Sequence, residues 1–113
     1  MSNHKPLSIN QFPLTEYSAR QIINDLAEHH TGRIRWSRHV KERMVERGVT
    51  TGQILTLLKS KRSVFTEGPY QTVKGDWQFN LKGMAAGDVI ELVVVLKKHH
   101  DDPAAILVTV WVV

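Results

Sequence analysis

Between Thr15 and His30 the apolar residues Tyr17, Ala19, Ile22, Ile23, Leu26 and Ala27 recur at mostly three- and four-residue intervals, the spacing that gathers side chains on one face of an α-helix. Thr15 can cap its start with a hydroxyl, Gly32 stands just past its end, and His29 and His30 lie where terminal carbonyls need donors. Arg33 to Trp36 alternates polar and apolar, too briefly to separate a strand from a linker. Ser37 offers a cap for a second helix that runs to Arg47 and stops at Gly48. Thr50 with Gln53 three positions on forms a capping-box pattern for a third helix, whose buried face is Ile54, Leu55, Leu57 and Leu58.

After Arg62 the period falls to about two. Ser63 to Thr66 reads as a short strand and Glu67-Gly68-Pro69 as a turn. Trp77, Phe79 and Leu81 alternate with Gln78, Asn80 and Lys82, a strand buried on one face, and Met84 to Asp88 reads as a connection. Val89 to Leu96 and Ala105 to Val113 are β-branched apolar runs typical of central strands, joined by a polar loop from His99 to Pro103. The expected fold is α+β: three N-terminal helices packed on one face of an antiparallel sheet of three or four strands, the last two adjacent. Residues 1–13, with two prolines and no period, read as an arm, and residues 14–113 as one domain.

Composition narrows the class. No cysteine is present, which removes disulfides, thiolate nucleophiles and sulfur-ligated zinc. The first residues lack the apolar core of a signal peptide, and no apolar run reaches about 18 residues, so a cytoplasmic protein without a membrane span is expected. Net charge is +4, but residues 1–62 hold eleven Lys/Arg against five Asp/Glu while residues 63–113 hold four against six. A basic helical half points to a polyanionic or acidic partner, against the alternative of a plain solvated face.

The most informative stretch runs from Trp36 to Val49. On a helix His39, Arg43 and Arg47 fall at i, i+4 and i+8 and share one stripe, with Val40 and Met44 beside it toward the core. An imidazole beside two guanidinium groups suits phosphodiester chemistry, with His39 moving a proton and the arginines holding developing charge on phosphate. Arg35, Arg38 and Lys41 add cations around it. The competing reading pairs the arginines with Glu42, Glu46 or a sheet carboxylate and leaves His39 as a first-turn residue.

The run Ser37-Arg38-His39-Val40-Lys41-Glu42-Arg43-Met44-Val45-Glu46-Arg47-Gly48-Val49, with the later Val108-Thr109-Val110, resembles the domain of unknown function 4258 family over about residues 34–112. The resemblance implies a fold related to RelE-type bacterial ribonuclease toxins and a role in RNA cleavage. It places His39, Arg43 and Arg47 at the family's signature positions and Thr109 at its last-strand position.

Elsewhere, Tyr70, Lys74 and Trp77 could stack on and neutralise single-stranded nucleic acid, although Trp77 fits the core better, and Trp111 is ambiguous between the two. His99, His100, Asp101 and Asp102 are a weak metal motif, since neighbours on a tight loop rarely converge on one ion; no metal or other cofactor is expected. The expected function is a toxin-like RNA-binding domain, with metal-independent endoribonuclease activity through His39, Arg43 and Arg47 and with Arg35, Arg38, Lys41, Tyr70, Lys74 and Thr109 as RNA contacts. Its expected partners are RNA and an antitoxin or other acidic protein. The alternatives are a non-catalytic module that binds protein or nucleic acid, and a regulator carried by a phage or mobile element.

Overall fold

The computed structural model describes residues 13–99 and 102–113. The arm expected over residues 1–13 lies almost wholly outside the described residues. The elements are α1 (Glu16–His29), a single 3-10 turn (Thr31–Arg33), β1 (Ile34–Trp36), α2 (Arg38–Arg47), α3 (Thr51–Lys59), β2 (Val64–Gln71), β3 (Trp77–Ala85), β4 (Asp88–His99) and β5 (Asp102–Val112). All three helices start where their caps stand. Thr15 Oγ1 accepts from Ser18 N at 3.1 Å; Ser37 Oγ accepts from Val40 N at 3.0 Å. Thr50 and Gln53 close a full capping box.

The sheet has five strands in the order β1-β5-β4-β3-β2. This is one more than the largest sheet expected from the sequence, because Arg33 to Trp36 supplies β1, and β1 pairs parallel with β5 while every other pair is antiparallel. As expected, β4 and β5 are antiparallel neighbours. β5 carries one extra residue, Val108, between its pairings to Val93 and Val94, a bulge that bends its second half.

Two expected connections are instead strand. Glu67-Gly68-Pro69 lies inside β2, at the sheet edge, with register shifts on either side of Glu67. Turn-type residues are tolerated there because an edge strand leaves one row of backbone groups unpaired. Gly68 is required as well: its φ is +75°, and an added Cβ would run into the Gln78 carbonyl oxygen. Met84 and Ala85 continue β3 and Asp88 opens β4, so the connection shrinks to Ala86 and Gly87, with φ of 49° and 86°. Two successive positive φ angles make a type I′ turn, whose twist matches that of the strands it joins.

The core lies between the helices and one face of the sheet. Ile23, Leu26, Val40, Ile54, Leu57 and Leu58 from the helices meet Phe79, Leu81, Leu92, Leu96 and Leu107 from the strands, each fully buried aliphatic side chain contributing roughly 1.5–3 kcal/mol. Tyr17 departs from its periodic pattern and is exposed, its hydroxyl accepting from Gln21 Nε2 at 2.8 Å. Leu55 packs at the margin of the core rather than within it.

Polar side chains fasten the layers. Asn24 Nδ2 donates to Leu58 O at 2.6 Å, and Arg20 Nη1 donates to Ser60 O at 3.3 Å and to Ser63 Oγ at 2.6 Å, so α1 satisfies the carbonyl end of α3. Gln53 Nε2 donates to Ala85 O at 3.0 Å and Asp88 Oδ2 at 2.9 Å, tying the start of α3 to the β3–β4 turn. Among the described residues no helix is long and apolar enough to cross a membrane.

Candidate nucleic-acid interface

α2 follows β1 and packs against β5, and Ser37 joins the three elements. Its backbone N–H donates to Leu107 O at 3.3 Å, extending the β1–β5 ladder by one bond, while its hydroxyl donates to Val108 O at 3.1 Å and caps α2. The helix ends at Gly48 in the left-handed region, φ 67°. Only Val40 of α2 is buried, with Met44 packed at the core margin. The helix therefore has a narrow apolar seam and a broad polar surface.

His39, Arg43 and Arg47 all lie on this helix, as the spacing requires. His39 and Arg47 are exposed and Arg43 is half-buried. Arg43 Nη1 donates to Glu46 Oε1 one turn on. Arg38 pairs with Glu42 at 3.4 Å, with its side chain 93% exposed. Pairs this wet contribute at most about 1 kcal/mol, so an incoming phosphate can displace either carboxylate. The side chains of Arg35, His39, Lys41 and Arg47 make no hydrogen bond or ion pair among the described residues. Arg33 is committed differently, its Nε donating to Pro103 O at 2.7 Å and holding the start of β5.

Among the described residues the stripe is open, with His39 and Arg47 exposed. The groove beside α2, about 330 Å³, is lined on its other flank by Lys41, Met44, Val45 and the start of α3. His39, Arg43 and Arg47 therefore form an open cationic ridge rather than a cleft.

The remaining candidates divide between two places. Thr109 sits on β5 opposite Val93, on the sheet face away from the helices. Tyr70 lies on β2, and Lys74 lies in the β2–β3 turn beside a shallow groove of about 350 Å³ that Val95, Lys97 and Ile106 also line. The register sets Tyr70, Gln78, Val95, Ile106 and Arg35 in one row across the sheet. Arg35 and Tyr70 thus occupy opposite ends of four strand spacings, roughly 19 Å apart, and the structure does not gather Tyr70 and Lys74 with α2. Trp77 is 7% exposed and belongs to the core, so it is no stacking platform. His100 and Asp101 of the weak metal motif lie outside the described residues, and among the described residues no group of three or more metal-ligating side chains converges.

Sequence reasoning passed over a polar cluster on the helix-free face. Glu91 Oε2 accepts from Thr66 Oγ1 at 2.6 Å and from Asn80 Nδ2 at 3.2 Å. The available signal was a carboxylate inside the apolar run Val89 to Leu96 and an amide at an alternate position of β3.

The family model described as Domain of unknown function (DUF4258) matches residues 36–112, from the end of β1 through β5. No curated protein matches the chain.

Proposed function

The chain belongs to the domain of unknown function 4258 family, and from its cationic β1–α2 edge we propose that it is a toxin-like RNA-binding domain, related in fold to the RelE-type toxins, that cleaves RNA without a metal. The observation that carries this is charge without partners. Residues 33–47 hold six Lys/Arg against two Glu; the side chains of His39 and Arg47 on the stripe, of Lys41 on the other flank of α2 and of Arg35 on β1 make no hydrogen bond or ion pair among the described residues. Exposed cations clustered around one edge of a domain are what a phosphate backbone neutralises.

In this reading Arg43 and Arg47 hold the non-bridging oxygens of one phosphate, since a planar guanidinium can donate twice to it. His39 takes the proton from the neighbouring 2′-hydroxyl. The 2′-oxygen then bonds to phosphorus, the bond from phosphorus to the 5′-oxygen breaks, and that oxygen takes a proton from water. The products are a 2′,3′-cyclic phosphate and a 5′-hydroxyl. An acidic partner such as an antitoxin would inhibit by covering the same cations.

A second reading, binding without cleavage, is favoured by one feature: no hydrogen bond among the described residues orients the His39 imidazole, and a general base is normally held in place. Titrating single-stranded RNA into the protein at rising salt, and following the RNA by gel, separates the readings. With Arg35 and Lys41 each neutralising a phosphate and Arg43 and Arg47 sharing one, log K should fall against log salt with a slope of roughly −2. Binding that ignores salt would overturn the RNA reading, and binding without any cyclic-phosphate product would leave the second.

A further inference from the structure

The helix-free face of the sheet carries a second, differently built group of side chains. Ile90 and Leu92 are buried in the core, so Glu91 between them projects from the opposite face. The same alternation places Lys82 beyond Leu81 and Trp111 beyond Val110. Register aligns these three directly, Lys82 opposite Glu91 and Glu91 opposite Trp111, so a cation, a carboxylate and an indole form one row across β3, β4 and β5. All three are half-buried.

The carboxylate is held in place. Thr66 and Asn80 both donate to Glu91 Oε2, while Oε1 takes no hydrogen bond among the described residues. The same bond orients the Asn80 amide, because its oxygen would be repelled by the carboxylate; Asn80 is itself buried, so it serves to hold the carboxylate. Lys82 makes no ion pair among the described residues, although its cross-strand neighbour is an acid.

We propose that this row binds one unpaired guanine of a single-stranded RNA, a proposal that rests on the reading of the chain as an RNA binder. Trp111 supplies the stacking surface, the Glu91 carboxylate, held by Asn80 and Thr66, reads the base edge, and Lys82 neutralises an adjacent phosphate. The choice of guanine follows from the acceptors. Of the four bases only guanine presents two adjacent N–H donors, at N1 and N2, on its Watson–Crick edge. Adenine and cytosine set a ring-nitrogen acceptor beside the amino group, and uracil flanks its one N–H with two carbonyls. Each would turn a lone pair toward the carboxylate.

The test uses a fluorescein-labelled ten-nucleotide oligouridine and the same oligomer with one central guanosine, adenosine or cytidine, read by anisotropy with the full-length protein. The guanosine oligomer should bind about 5- to 100-fold tighter than the others, the discrimination of a two-bond base contact. Glu91→Gln should erase that preference while leaving oligouridine affinity in place. Lys82→Gln should weaken all oligomers alike and shorten the salt slope by roughly 0.7. Trp111→Phe, which preserves a smaller aromatic face, should weaken all four without changing their order, and thermal unfolding of each variant verifies that it is folded. Equal affinity for guanosine and adenosine oligomers, or a preference that survives Glu91→Gln, overturns the base site alone. No binding to any oligomer at low salt overturns the RNA reading and the base site with it.

Discussion

Removing the Ser37 hydroxyl should loosen the cationic helix from the sheet. That oxygen accepts from Val40 N at 3.0 Å and donates to Val108 O at 3.1 Å. Losing an N-cap costs about 0.5–2 kcal/mol, and losing the second bond adds about 0.5–1.5 kcal/mol. The site is only half-buried, so water recovers part of both, and Ser37→Ala should cost about 1–2.5 kcal/mol. For a domain near this size that lowers Tm by roughly 4–10 °C. Two companions separate the roles. Ser37→Thr retains donor and acceptor and should stay close to the parent. Ser37→Asp retains the cap and suits the positive end of the helix, but has no hydrogen for Val108 O, and should fall between Thr and Ala. Circular dichroism melts of the four proteins measure the series, with the m-value in urea checking that the unfolding transition keeps its cooperativity. An alanine variant that melts with the parent would refute the assignment of Ser37 as the joint. An aspartate variant no better than alanine would refute the capping half of the argument.

Gln53→Glu keeps the capping-box pattern but turns a carboxylate toward Ala85 O and Asp88, so it should destabilise by about 1–3 kcal/mol in chemical denaturation, and a neutral effect would refute the Gln53 contacts. Gly68→Ala combines a left-handed φ with a collision against the β3 backbone, and should lose roughly 2–4 kcal/mol; an unchanged melt would mean that β2 does not cross so closely. His39→Ala should fold normally, because the side chain is exposed, and should lower RNA cleavage by about 10²- to 10⁴-fold. Full cleavage by that variant ends the assignment of His39, and cleavage stopped by a chelator assigns the chemistry to a metal.

Sequence alone determined the parts whose causes lie within a few residues of each other. Thr15, Ser37 and Thr50 start their helices because a cap bonds an amide two or three positions on, and Gly48 ends α2 because the left-handed turn needs no side chain. The i, i+4, i+8 stripe of His39, Arg43 and Arg47 and the β-branched runs of β4 and β5 were equally legible, being set by the periods of helix and strand. Tertiary structure decided what depends on distant partners. Ile34 to Trp36 is a strand only because β5, some 70 residues later, presents Ala105 to Leu107 to it. Glu67-Gly68-Pro69 carries turn residues yet runs as an edge strand, since what it must satisfy is the β3 backbone beside it. Strand order, more than any local signal, put Tyr70 at one edge and α2 at the other, and set Lys82, Glu91 and Trp111 in a line. A residue's neighbours along the chain determine its backbone conformation and the side of its element it occupies; which groups meet across a sheet is determined by pairing register, which no local stretch of sequence contains.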